Sequence, residues 1–189
     1  MRKFKILVAC LMALYSSSAF ASNKMSAWEE QLIEQAQTCN TPVDASKSFL
    51  RELLLLEKAS GVPDHFRGII LAAACVESGY NPKAEGDHKF SKDKKTPVAI
   101  GLLQLWPWWE HKYKISRRNP QASAKVWLKH LNDNLAYVKR RCPPLGEAQL
   151  WSAAEAVTVR GPGKRCFQRT SHVTLLAQWQ RSTMPDFAF

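Results

Sequence analysis

Three observations predict an all-α fold for this chain. Apolar residues recur every three to four positions almost throughout, strand-like alternation is scarce, and Pro and Gly fall between the periodic stretches. Trp28, Leu32 and Ile33 mark a first amphipathic helix that ends near Cys39. A second runs from Asp44 as N-cap through Phe49, Leu50, Leu53, Leu54 and Leu56 to Ser60, with Gly61 as its stop. Asp64 opens a third after Pro63, and Gly79 with Asn81-Pro82 ends it near Ser78. Residues 83–97 form a polar loop carrying Gly86-Asp87 and Lys92-Asp93-Lys94-Lys95, and residues 101–109 form a short apolar segment broken by Pro107. A long helix begins after Asn119-Pro120, presents Val126, Trp127, Leu131, Leu135 and Val138 on one face, and stops at Cys142-Pro143-Pro144. Glu147 to Val159 makes another, ended by Gly161-Pro162-Gly163, and Ser171 to Gln180 the last.

Residues 1–21 stand outside this pattern. Arg2, Lys3 and Lys5 precede an apolar run from Ile6 to Tyr15, and Ala19-Phe20-Ala21 is a small-x-small cleavage site. This is the pattern of a secretory signal peptide cleaved after Ala21, with an apolar run too short to span a membrane. Leu7-Val8-Ala9-Cys10 has the outline of a lipoprotein processing site but lies too near the start to leave a working apolar region. No later segment reads as a transmembrane helix, so the expectation is an exported protein, periplasmic or secreted, with residues 22–189 as one domain.

The formal net charge is +11, and cleavage would lower it by the three charges of Arg2, Lys3 and Lys5. A basic surface fits an anionic partner such as peptidoglycan and its attached polymers, a membrane surface or nucleic acid. Export disfavours nucleic acid. The basic residues are scattered, which fits equally a charge that only keeps the protein soluble. Four cysteines follow the leader: Cys39, Cys75, Cys142 and Cys166. An even count in an oxidising compartment predicts two disulfides, with three connectivities. Cys142 and Cys166 flank one predicted helix and can staple it to the next, which leaves Cys39 with Cys75. The alternative for Cys75 is a small buried thiol. The spacings do not match a zinc site and no histidine pair sits at ligand spacing, so neither a metal nor another cofactor is implied.

Glu77 closes the apolar run Leu71-Ala72-Ala73-Ala74-Cys75-Val76, which leaves its helix little polar surface. Burial and the negative end of a helix dipole both favour the protonated form of a carboxyl, the form that serves as a general acid. The plainer alternative is a helix-end Glu facing water. Glu77-Ser78-Gly79-Tyr80-Asn81-Pro82-Lys83-Ala84 followed by Ala99-Ile100-Gly101-Leu102-Leu103-Gln104-Leu105 resembles the core of the lytic transglycosylases, goose-type-lysozyme-like enzymes of bacterial cell walls. The two motifs occur in the family's order, and the span from Glu77 to Leu105 covers about a sixth of the chain.

The resemblance implies a lysozyme-like domain with a minor hairpin at the cleft, and Glu77 as sole acid/base. It implies cleavage of the bond between N-acetylmuramic acid and N-acetylglucosamine in peptidoglycan glycan strands. In that reaction the sugar's own 6-hydroxyl attacks the anomeric carbon and leaves a 1,6-anhydro end. Gln104 would meet an N-acetyl group or sugar hydroxyl, or else stabilise its loop. Gly101 would allow close backbone approach to the ligand. Ser78 would bond the substrate or Glu77, or satisfy backbone groups. Tyr80 would flank Glu77 or pack under the loop. Of Trp106, Trp108 and Trp109, one, Trp106, is assigned to the cleft as a sugar platform and the others to packing. Trp127, Trp151 and Trp179 sit at helical spacing and read as core.

A third family signature, Ala-Tyr-Asn-Ala-Gly-Pro-Gly, is altered. Aligned on Gly161-Pro162-Gly163 the chain reads Val157-Thr158-Val159-Arg160. Thr158 would keep a hydroxyl near Glu77 or pack in its helix. Arg160 would bind a substrate carboxylate or offset the helix dipole. Asp87 is the candidate second carboxylate: holding a water opposite Glu77 it would make the enzyme a hydrolytic muramidase, and otherwise it is a solvated loop residue like Glu85 and Asp93. A glycan-binding accessory protein of weak activity, and a chitin-type oligosaccharide as substrate, are the remaining readings.

Overall fold

A computed structural model describes residues 25–39, 45–163 and 166–183. The leader pattern of residues 1–21 and the expected cap Asp44 lie outside them. Seven α-helices and one two-stranded hairpin make up the described chain. The all-α class holds, and the hairpin is the small one expected.

Helix α1 (Ala27–Gln37) starts at a capping box in which Ser26 Oγ accepts from the Glu29 amide and the Glu29 carboxylate accepts from the Ser26 amide. It buries Leu32, Ile33 and Ala36. Helix α2 (Lys47–Ala59) is capped by Ser46, whose hydroxyl accepts from the Phe49 amide at 3.3 Å. Its periodic leucines face the core, as expected.

The third helix departs from the expectation that Asp64 opens it. Asp64–Phe66 is a single 3-10 turn, and helix α3 (Ile69–Ser78) begins only after Gly68, which adopts φ 98°. A Cβ at Gly68 would lie 2.6 Å from Leu32 Cδ2, so both the dihedral and the packing require glycine. The break is stabilised by Glu57 of α2. Its fully buried carboxyl accepts from the Gly68 amide at 3.0 and 3.1 Å and from the Ile69 amide at 3.1 Å. The carboxyl thus takes orphan donors at the positive end of α3. Burial drives its pKa from 4.5 to about 8, against Arg67 and the backbone donors, which pull it down. Ile69 through Ala74 are all buried, so α3 runs through the centre of the molecule, packed on α1, on α2 and on the last helix.

Strands β1 (Glu85–Gly86) and β2 (Ala99–Ile100) pair antiparallel, with Glu85 opposite Ile100 and Gly86 opposite Ala99. The charged loop between them is organised by Asp93, which accepts from the amides of Lys95 and Thr96 and from the hydroxyls of Ser91 and Thr96. Those donors hold its pKa well below the usual carboxylate range. A bridge between Ile100 and Leu105 then closes the Gly101–Gln104 turn.

Residues 101–109 are not one broken apolar segment: Pro107 starts helix α4 (Pro107–Tyr113) instead of interrupting one. A proline at the first helical position lacks only an N–H that would be unpaired there anyway. Helix α5 (Pro120–Arg141) starts the same way, with Asn119 Oδ1 accepting from the Ala122 amide at 2.9 Å, and stops before Pro143. It packs along α6 (Glu147–Arg160). Helix α7 (Ser171–Thr183) runs a few residues past the expected end and closes the core over α3 and α1. Trp127, Trp151 and Trp179 are buried, as expected. Both expected disulfides are present, Cys39–Cys75 and Cys142–Cys166. Among the described residues no helix is long and apolar enough to cross a membrane.

Candidate active site

Helix α3 ends in two consecutive left-handed residues, Gly79 (φ 58°) and Tyr80 (φ 61°). The Tyr80 amide reaches back to the Ala74 carbonyl and the Gly79 amide to that of Cys75. This C-cap turns the chain sharply away and leaves the last helical turn with Glu77 lining a cavity of about 780 Å³. The Glu77 side chain is 29% exposed, neither sequestered nor free in water. The Cys39–Cys75 bridge fixes the same turn to the end of α1.

Behind Glu77 lies a chain of polar groups sunk in the core. Glu77 Oε1 is 2.9 Å from His172 Nε2, and His172 Nδ1 is 2.7 Å from Glu155 Oε1. Thr170 donates its hydroxyl to Glu155 Oε2 at 2.6 Å. Glu155 comes from α6 and His172 from the first turn of α7, and both are buried. Burial pulls the His172 pKa down, but the hydrogen bonds and charges of Glu155 and Glu77 overcome it and hold it at about 9. Its place between two carboxyl groups thus favours the cationic ring.

Sequence reasoning missed both residues. Glu155 stands alone in Ala153-Ala154-Glu155-Ala156-Val157, the pattern that singled out Glu77, and could have been found the same way. His172 carries no such signal, because only the packing of α7 on α3 brings it to Glu77.

The residues expected around Glu77 divide. Gln104 lines the cavity, but its amide donates to the carbonyls of Ala84 (3.2 Å) and Gly101 (3.0 Å), so its nitrogen holds the turn together. Ser78 does not line the cavity: its hydroxyl bonds the Leu102 carbonyl at 2.7 Å and the Ala74 carbonyl at 3.1 Å, tying α3 to the turn. Tyr80 is buried under the loop, off the cavity wall, where burial pushes its hydroxyl pKa up. Gly101 is required, though not for a ligand. It has φ 84°, and a Cβ there would overlap the carbonyl oxygen of Arg117. Arg117 in turn braces this wall, bonding the carbonyls of Val98 and Leu105 at 2.7 Å each and facing the Glu110 carboxylate at 3.1 Å.

The tryptophans contribute more than the single platform expected. Trp106 and Trp108 line the cavity with 39% and 42% of their surface exposed. Trp109 and Trp127 form the wall behind them, with Trp108 stacked on Trp109 at 4.4 Å between ring centroids. Trp106 donates its indole N–H to Asp87 Oδ2 at 3.0 Å, which places Asp87 on the same cavity as Glu77; these two are its lining carboxylates. Thr158 also lines it, but its hydroxyl donates to the Ala154 carbonyl and accepts from Asn134 Nδ2. Arg160 is not among the residues that line the cavity, and it donates to Gln168 Oε1 at 3.2 Å. Lys112 and His130, unremarked in the sequence, complete the far wall.

Among the described residues, no group of three or more His, Cys, Asp or Glu is arranged to hold a metal ion. The arrangement is a carboxyl with one oxygen against the His172 ring and the other, among the described residues, without a hydrogen-bond partner, beside a cavity walled by flat aromatic rings. Comparison with protein-family models, curated proteins and solved structures finds no match, so the likeness to lytic transglycosylases rests on residues 77–84 and 99–105 themselves.

Proposed function

We propose that this protein is an exported peptidoglycan lytic transglycosylase with a lysozyme-like domain, acting on the β-1,4 bond between N-acetylmuramic acid and N-acetylglucosamine with Glu77 as its acid/base. The observation that carries the reading is the position of Glu77: a largely covered carboxyl lining a cavity whose wall exposes Trp106 and Trp108. A cavity of about 780 Å³ falls in the range that buries most of a small ligand. Pyranose rings carry apolar C–H faces that pack on indole. The two disulfides fit the oxidising compartment that the leader pattern of residues 1–21 addresses.

In the proposed reaction Glu77 gives its proton to the glycosidic oxygen as the bond from that oxygen to the anomeric carbon breaks. The muramic 6-hydroxyl oxygen attacks that carbon, and its proton passes to the Glu77 carboxylate. The acid is regenerated, no water is consumed, and no second carboxylate takes part.

One observation favours a second reading: Asp87 lines the same cavity. Were it to hold a water on the opposite face of the sugar, the same cleavage would be hydrolytic. Mass spectrometry of muropeptides released from purified peptidoglycan separates the two. Products one water lighter than hydrolysis products, absent with Glu77→Gln, support the lytic route; reducing ends that vanish with Asp87→Asn support the hydrolytic one. Undiminished cleavage by Glu77→Gln would remove Glu77 from the mechanism. A wild type that pulls down peptidoglycan without cutting it would leave a binding protein.

A further inference from the structure

Resting on the reading of Glu77 as acid/base, we propose that His172, anchored by Glu155, is a positioning residue that fixes Glu77 Oε1 and leaves Oε2 as the oxygen presented to the glycosidic bond. The geometry is a line of three groups from three helices: Glu155 on α6, His172 on α7 and Glu77 on α3, joined by contacts of 2.7 and 2.9 Å. The far end is secured by the Thr170 hydroxyl, so both Glu155 oxygens are engaged.

This line is a poor device for stability alone. Taking a carboxylate and an imidazolium out of water costs about as much as their attraction returns, and apolar residues of similar volume commonly do better. Apart from Thr158 and Gln180, the other residues that α6 and α7 bury are apolar, including Ala153, Ala154, Val173, Leu176 and Ala177. A buried ionic pair whose outer nitrogen reaches a carboxyl lining the cavity is placed for chemistry.

The proton positions give the role. Glu155 accepts from Nδ1–H, so the state of Nε2 decides what Glu77 can do. With the ring cationic, Nε2–H donates to Oε1, and a protonated Glu77 carries its hydrogen on Oε2. With the ring neutral, Nε2 is an acceptor, and the Glu77 hydrogen turns to it and away from the cavity. The cationic ring also faces the carboxylate formed when Oε2 gives up its proton, until the attacking hydroxyl restores it. Among the described residues the titratable groups facing His172 are Glu155 and Glu77: the charge of Glu155 favours the cationic ring, and that of Glu77 adds to it once the carboxyl is ionised.

The test uses the mature protein on solubilised, peptide-free glycan strands. His172→Gln keeps an N–H donor for Glu77 and removes the charge. We expect kcat to fall by about tenfold or more with KM within about twofold, the pattern of an interaction made in the transition state. The alkaline limb of the kcat/KM profile should move up by about one pH unit, since an opposite charge nearby favours ionised carboxyl groups. Glu155→Gln should move the limb in the same direction. A merely structural role would lower stability and leave the limb in place.

An independent readout needs no turnover. In long-range ¹⁵N–¹H spectra of the wild type at pH 7.5, both ring nitrogens of His172 should be protonated, and a neutral ring would overturn the proposal whether or not the variants fold. If Glu77→Gln cleaves as well as wild type, the reading of the site fails and this proposal with it. If Glu77→Gln is inactive while His172→Gln keeps wild-type kcat and profile, the role of His172 alone is refuted.

Discussion

Glu57 makes the stability of this protein depend on pH in a direction opposite to that of most carboxylates. Its carboxyl is fully buried at the start of α3, and burial raises its pKa from 4.5 to about 8. Between those values the folded chain holds a proton that the unfolded chain has released, so stability falls as pH rises. The contribution is fully present below about pH 4.5 and is lost as pH passes 8. At about 1.4 kcal/mol for each pH unit, the loss is on the order of 5 kcal/mol. His172 slopes the same way over a higher window, from its usual 6.5 to about 9, so wild-type stability alone does not isolate Glu57. Glu57→Gln does. The amide is neutral throughout, so subtracting its urea-unfolding free energy from that of wild type cancels His172 and every other common group. Measured from pH 4 to 9, the difference should fall steadily in favour of the variant, although Gln offers the Gly68 and Ile69 amides only one acceptor oxygen. A difference constant to within about 1 kcal/mol, or one that grows in favour of wild type, would refute the reasoning. In the second case Glu57 would be an ionised cap held by Arg67, and α3 would begin at a buried anion.

Further expectations follow from the walls of the cavity and its supports. In a Glu77→Gln background, Trp106→Ala or Trp108→Ala should weaken glycan-strand binding by about five- to tenfold each, the worth of about 1 kcal/mol of ring contact; calorimetry showing no change in either would take the rings out of the binding surface. Gly101→Ala forces a side chain onto φ 84° and into the Arg117 carbonyl, so it should lower stability by about 2 kcal/mol or more. A denaturant midpoint within experimental error of wild type would contradict that backbone geometry. Replacing Cys39 and Cys75 by Ala should cost about 2–4 kcal/mol of stability. Hydrogen exchange should then rise first in the last turn of α3, and exchange unchanged there would show that the bridge does not hold the turn.

The sequence carried the helices because their signals are local. Ser60-Gly61, Asn119-Pro120 and Cys142-Pro143-Pro144 end or begin elements wherever they fall, and the structure agrees at each. Pro107 shows the limit of that logic. Proline both stops and starts helices, and only the six helical residues after it decide which. Gly68 shows another, since the late start of α3 depends on Glu57 of the preceding helix and on Leu32 of the one before it.

The site was legible where one residue sufficed. Glu77 at the end of an apolar run could be picked out, and so could the turn beginning at Gly101. Gly101 and Ser78 proved to serve neighbouring backbone, a distinction the sequence cannot make because Arg117 and Leu102 reach them only through the fold. Arg160 stands between two cavity-lining residues, Val159 and Gly161, but its side chain bonds Gln168. His172, 95 residues beyond Glu77, is a pure product of tertiary packing.

That separation also orders events in time. A chain emerging from the ribosome presents Glu77 early, with the Gly101 turn and the tryptophans soon after, yet Glu155 waits for α6 and the imidazole for α7. The helix that brings the imidazole is the same one that closes the core over α3 and α1. Synthesis therefore delivers Glu77 well before Glu155 and His172, so the polar line behind it is among the last contacts the molecule can form.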